Sequence, residues 1–159
     1  MNSIPNNMFV YAIEQDGAEL HYLSPLPNEY GFEHGLSPHA IMGQFLDGVE
    51  RLTPDNFARN SVFVDFLHDV IAKHGPNCPG IISEAERTAD GTVAVIDLRV
   101  PDLNGAIAPE DIVGLFTVSG GVLGDYHACP KHQILNQHGI MKLPDWLHSK
   151  LVDELMTAT

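Results

Sequence analysis

The sequence predicts an α+β fold, an antiparallel sheet built from hairpins with about three helices packed on one face. Short runs rich in β-branched and aromatic residues come in pairs joined by glycine-containing turns. Other stretches repeat apolar residues at helical spacing, and strands and helices do not alternate as parallel β-α-β units require.

Residues 8–14 and 18–23 are strand-like, and Gln15-Asp16-Gly17 between them is a turn whose glycine supplies a positive φ, which makes a first hairpin. Residues 24–36 hold Pro25, Pro27, Gly31 and Gly35 and read as a long loop of the kind that often carries function. Ser37-Pro38 then supplies an N-cap and a first-turn proline for a helix with Ile41, Phe45, Val49 and Leu52 on one stripe, although Gly43 and Gly48 weaken it. Thr53-Pro54-Asp55 repeats the start signal, and Phe63, Phe66, Leu67, Val70, Ile71 and His74 mark a second helix closed by Gly75-Pro76.

Residues 81–88 and 92–100 flank Ala89-Asp90-Gly91 and predict a second hairpin with a bulged three-residue turn. After a loop at Pro101-Asp102-Leu103-Asn104-Gly105, residues 112–118 and 122–128 flank Ser119-Gly120-Gly121 as a third hairpin. Pro109-Glu110-Asp111 resembles a helix start, but the β-branched residues and the glycine pair outweigh it. Pro144-Asp145 opens a last helix with Leu143, Leu147, Leu151 and Leu155 on one stripe and Trp146 beside it.

At 159 residues the chain is expected to form a single globular domain, residues 1–159, with residues 1–7 flexible. It carries 21 acidic against 8 basic residues, a net charge of −13, yet only 18% of its residues are charged, so the imbalance reflects missing Lys and Arg. A chain so poor in cations does not neutralise phosphates, which argues against nucleic acid as a partner. At 44% hydrophobic residues the chain has enough apolar material for a core. No apolar run approaches the roughly 18 residues of a membrane span, so no membrane partner is expected either. The first seven residues have no basic residue and no apolar stretch of signal-peptide length, from which a soluble cytoplasmic protein is expected. Cys78 and Cys129, each followed by proline and without a CxxC spacing, read as two free thiols.

Walker, G-x-G-x-x-G, H-E-x-x-H, EF-hand and G-x-S-x-G motifs are absent. Gly35-Leu36-Ser37-Pro38-His39 looks like a nucleophile segment, but Ser37 is better explained as a helix cap. Four constellations remain. His127, Cys129 and His132 offer the nitrogen and sulfur donors that zinc favours, although H-x-C-x-x-H is not a standard zinc framework and ordinary polar contacts account for the same residues. Asp65 and His68 lie one turn apart on the polar face of the second helix, where a carboxylate raises the basicity of an imidazole; a solvated helix face has the same composition. In the second hairpin, a two-residue turn sets Glu84 opposite Asp97 beside Arg99, an acid-base cluster, whereas the bulged turn favoured above sets Asp97 against Ser83. Tyr22, Tyr30, Phe32 and Tyr126 could wall a small-molecule pocket or simply plug the end of the sheet.

These features favour a noncatalytic binding or interaction domain, recognising a protein partner or a small ligand and forming a homo-oligomer through a sheet edge or helix. An antitoxin-like or immunity-like inhibitor of a basic toxin is one version. A small hydrolase or isomerase using His and Asp/Glu, and a zinc-binding domain, are the alternatives. The charge is polarised: residues 1–50 hold seven acids and no Lys or Arg, while residues 126–150 hold Lys131, Lys142 and Lys150 against Asp145, with four histidines besides. Association that weakens with salt and changes between about pH 7.5 and 5.5 follows from that pattern.

Overall fold

The computed structural model describes residues 3–158. In chain order the elements are β1 (Phe9–Gln15), β2 (Ala18–Ser24), α1 (Asn28–His34), β3 (Gly43–Phe45), β4 (Phe57–Arg59), α2 (Ser61–His74), α3 (Pro79–Thr88), β5 (Gly91–Ile96), β6 (Ile112–Ser119), β7 (Val122–Ala128), β8 (Leu135–Asn136), β9 (Gly139–Ile140) and α4 (Asp145–Thr157). The fold is α+β. Among the described residues the strands form three antiparallel sheets, ordered β1-β2-β3-β4, β5-β6-β7 and β8-β9. Among the described residues no helix is long and apolar enough to cross a membrane.

The chain divides into two compact units interleaved in sequence. One comprises the chain through Leu67, Ile134–Ile140 and the residues from Leu151 on; the other comprises His68–Gln133 and Met141–Lys150.

In the first unit, β1 and β2 form the expected hairpin. Asp16 and Gly17 both have positive φ, 53° and 79°, as a two-residue turn matched to the twist of the strands requires. The resulting register sets Tyr11 opposite Tyr22, Ile13 opposite Leu20 and Glu14 opposite Glu19. Residues 24–36 are not a loop throughout, because α1 fills 28–34. Pro27 stands at its N-cap, and the Asn28 amide donates to the Val10 carbonyl at 2.9 Å, fixing the helix to β1. Gly31, which spoke against a helix, is what permits this one: a Cβ there would overlap the Tyr11 ring. Packing overrides propensity at that point.

The helix expected from Ser37 to Leu52 does not form. Only a 3-10 turn, Pro38–Ala40, follows Ser37, and the Ser37 hydroxyl makes no capping bond. The chain then enters β3, with Met42 N–H donating to the Leu23 carbonyl at 2.8 Å and Leu46 N–H to the Asn56 carbonyl at 2.9 Å. Thr53-Pro54-Asp55 likewise opens a 3-10 turn, Pro54–Asn56, rather than the long helix. β4 intervenes, and α2 starts at Ser61 with the Asn60 Oδ1 accepting from Val62 N–H at 3.2 Å. Its stripe of Phe63, Leu67, Val70 and Ile71 is buried as expected.

In the second unit, β6 and β7 form the expected hairpin around Gly120 and Gly121. Pro109-Glu110-Asp111 is a 3-10 turn leading into β6. The hairpin of 81–88 with 92–100 is overturned. Residues 79–88 are α3, opened by Pro79 at the first helical position, burying Ile81 and Ala85 one turn apart and holding Glu84 to Arg87 at 2.6 Å on the exposed side. Ala89, at φ 65°, ends it in a tight turn closed by Asp90 N–H on the Thr88 carbonyl at 2.8 Å. β5 begins only beyond that turn and pairs with β6.

α4 follows its leucine stripe, with Leu143, Leu147, Leu151 and Leu155 buried. One polar atom departs from this pattern. His148 Nδ1 is buried without a hydrogen-bond partner among the described residues, and burial pushes the imidazole below its ordinary value, Asp145 opposing in part. The unfolded chain therefore takes up a proton as pH falls through about 6.5 while the folded chain resists, so this group lowers stability on the acid side. Urea midpoints at pH 7.5 and 5.5 should fall less in His148→Leu than in the parent; an equal fall would contradict the assignment.

Candidate functional site

Two places gather the residues singled out by sequence. The first is a buried ion network in the second unit. Asp97 lies just past β5 and Arg99 two residues on; their side chains are 0% and 3% exposed. Asp97 Oδ1 accepts from the Arg99 and Lys142 backbone N–H groups at 3.2 and 2.8 Å, and Oδ2 lies 2.9 Å from His132 Nε2 and 3.4 Å from Arg99 Nε. Arg99 Nε also reaches Asp111 Oδ1 at 3.0 Å, and Nη2 donates to the Glu110 carbonyl at 3.0 Å and to the Gln133 carbonyl.

Asp97 and Arg99 thus meet, but neither with Glu84 opposite Asp97, as the acid-base reading required, nor with Asp97 against Ser83, as the bulged turn set it. Glu84 does not join them, because α3 carries it to the surface and Arg87, whose guanidinium holds its carboxyl below the usual value. Asp111 and His132 take its place. No local pattern announces Asp111, which follows a proline-led turn and reaches Arg99 only through the pairing of β5 with β6.

The network also divides the zinc candidates. His132 is turned inward onto Asp97, Cys129 Sγ lies 3.7 Å from the Pro109 carbonyl, and His127 is exposed on β7. Among the described residues no group of three or more His, Cys, Asp or Glu side chains is placed to hold a metal. Cys78 and Cys129 are both free thiols.

Of the helix pair, Asp65 is exposed, whereas His68 Nδ1 lies 2.7 Å from the Tyr126 hydroxyl. Tyr126 packs its ring on Phe116 with centroids 4.9 Å apart, and burial, reinforced by Cys129, pushes its phenol well above the ordinary range. Tyr126 is thereby a packing and hydrogen-bonding residue of the second unit, remote in sequence register from the other three aromatics.

The second place is an open cavity of about 360 Å³ in the first unit. Tyr11, Ile13 and Gln15, alternate residues of β1, form its floor with Tyr22 of β2; Phe32 of α1, Leu36 and Ile41 form the walls. Tyr11 and Phe32 rings lie 5.4 Å apart, tilted by 55°. The Tyr11 hydroxyl is committed to the Leu26 and Pro27 carbonyls, both at 2.6 Å, and burial pushes its phenol up. Phe32 is 69% exposed and Ile13 42%. The lining is mostly apolar and aromatic, with Gln15, Tyr11 and Tyr22 the lining residues whose side chains carry polar groups, and its size falls at the small end of ligand sites.

Tyr22 and Phe32 are therefore brought together, as the aromatic reading required. Tyr30 is not part of the lining: its hydroxyl is 3.2 Å from the Met156 carbonyl and its ring lies 4.4 Å from that of His34. Tyr11, Ile13 and Gln15 were absent from the sequence-derived set although their spacing of two is a strand signal. The two-residue turn at Asp16-Gly17 sets Tyr11 against Tyr22, so the hairpin itself held the information. Compared with known proteins, the chain matches no family model, no curated protein and no solved structure.

Proposed function

We propose that the protein is a noncatalytic binding domain whose recognition surface is the aromatic cavity formed by β1, β2 and α1. The observation that carries this reading is the exposed Phe32 over a floor of Tyr11, Ile13 and Tyr22. An aromatic ring left largely in water beside an open apolar cavity offers surface that a ligand buries on binding.

The acid-base alternative rests on the Asp97–His132 contact. Its weakness is that the Asp97 oxygens are already engaged by His132, Arg99 and two backbone N–H groups, an arrangement that holds the fold together. Asp97 is also 0% exposed, so a substrate has no access to it in this arrangement.

Equilibrium dialysis with indole, a neutral probe, tests the reading. Saturable binding is expected, and Phe32→Ala, which removes one aromatic wall, should weaken it about 3- to 10-fold. Binding that never saturates, or an affinity that Phe32→Ala leaves unchanged, would contradict it.

A further inference from the structure

Beside the cavity runs one edge of the four-stranded sheet, which no further strand covers among the described residues. β1 is the outermost strand, seven residues long, without proline or lysine, the features by which natural edges are usually blunted. The two-residue turn makes Gln15 and Ala18 a hydrogen-bonded pair. Pairs alternate from there, so Gln15, Ile13, Tyr11 and Phe9 direct their backbone groups at β2, and Glu14, Ala12 and Val10 direct theirs outward. The Asn28 amide on the Val10 carbonyl agrees with that phase and caps the edge at one end. Ala12 and Glu14 are left, both exposed, presenting an outward N–H and carbonyl each.

The side chains around this edge differ by face. On one face lie Ile13 and the cavity with Phe32; on the other lies Glu14, directly opposite Glu19 across the hairpin, both exposed. Two like charges facing each other on neighbouring strands oppose folding unless a cation joins them. His21, 3.2 Å from Glu19, is the nearest cationic candidate on that face, and residues 1–50 contain no Lys or Arg.

We infer that the β1 edge accepts an extended segment of a basic partner protein as an added strand, paired to the backbone of Ala12 and Glu14. Alternate apolar side chains of that segment enter the aromatic cavity, and its Lys or Arg side chains meet Glu14 and Glu19. Backbone pairing of this kind supplies affinity, and the pocket for alternate side chains supplies specificity. A second copy of this chain is the poorer occupant, because pairing β1 with β1 brings two more carboxylates to the same face. The inference rests on the cavity being a binding surface and names what fills it.

The test uses two blocked heptapeptides, alternating Lys-Val and alternating Glu-Val, with indole as a separate probe of the cavity. The lysine peptide is expected to bind at least 10-fold more tightly than the glutamate peptide at low salt, to lose affinity as salt rises, and to slow amide exchange at Ala12 and Glu14. Ala12→Pro removes an N–H that β2 does not use, a substitution edge strands accept. It should weaken the lysine peptide at least 10-fold and leave indole binding unchanged. Glu14→Lys, which leaves the backbone intact, should abolish the preference for the lysine peptide.

Equal binding of both peptides, no peptide binding, or indifference to both substitutions would overturn the inference. A concentration-dependent dimer that Ala12→Pro disperses would overturn it too, by giving the edge to a second copy. Indole binding without peptide binding removes this inference alone; loss of both removes the binding reading as well.

Discussion

Asp97→Ala is expected to lower folding stability by about 3–5 kcal/mol, the range for removing one partner of a buried ion pair. Asp97 is fully buried and satisfies four groups at once: the Arg99 guanidinium, the His132 ring and the backbone N–H groups of Arg99 and Lys142. Truncation removes the acceptor of the part-buried Arg99 and Lys142 N–H groups and takes one carboxylate from the Arg99 guanidinium, which keeps Asp111 and the Glu110 and Gln133 carbonyls. Those bonds also tie the end of β5 to the segment before α4, so one side chain fixes the course of two separate stretches of chain. Urea unfolding of the variant against the parent measures the loss, with Glu84→Ala as the exposed control whose midpoint should stay in place. A loss below about 1 kcal/mol would show that the network is not what holds this region.

Leu147→Ala is the second large effect, about 2–5 kcal/mol. Leu147 is 0% exposed and sits at the centre of the leucine stripe of α4. Its removal forfeits apolar burial and leaves a cavity whose size depends on how far the neighbours relax. The spread of that range reflects the collapse of the site, while the sign does not depend on it. Thermal unfolding followed by circular dichroism reads the change as a lower midpoint with the helical signal retained at low temperature. An unchanged midpoint would contradict the packing assigned to the helix.

The two predictions also show where sequence was sufficient. The leucine stripe needed no context: Leu147, Leu151 and Leu155 at helical spacing behind Pro144 placed α4 correctly, because one apolar face of one helix satisfies its own periodicity. The hairpins at Asp16-Gly17 and Gly120-Gly121 were legible for a related reason, since turn geometry is encoded in two adjacent residues. The stretch from Ser37 to Leu52 was not legible. Its apolar residues fit a helical stripe, yet backbone bonds to Leu23 and Asn56, partners distant in sequence, drew it into β3. Residues 81–88 failed in the opposite direction: Ile81 and Ile82 suggested a strand, but Pro79, Glu84, Ala85, Glu86 and Arg87 are the residues of a helix start and interior.

The candidate sites divide in the same way. Tyr22 and Phe32 were identified by residue type, and Asp97 and Arg99 through a strand pairing with Glu84 that α3 replaces. What each met could be found only from the pairing of strands. The register of β1 with β2 joins Tyr11 to Tyr22, and that of β5 with β6 brings Asp111 to Arg99. The polarised charge was visible from the start, and the geometry gives it a place: Glu14 and Glu19 face each other beside the open edge.

Backbone amide shifts recorded during an indole titration test the central claim most directly. If the aromatic cavity is the recognition surface, saturable shifts will appear at Ile13, Tyr22, Phe32 and Leu36, and the amides of Asp97, Arg99 and His132 will not move. Saturable shifts centred on Asp97 and His132, with the cavity residues unaffected, would contradict the binding reading and return the buried network to consideration as the working site.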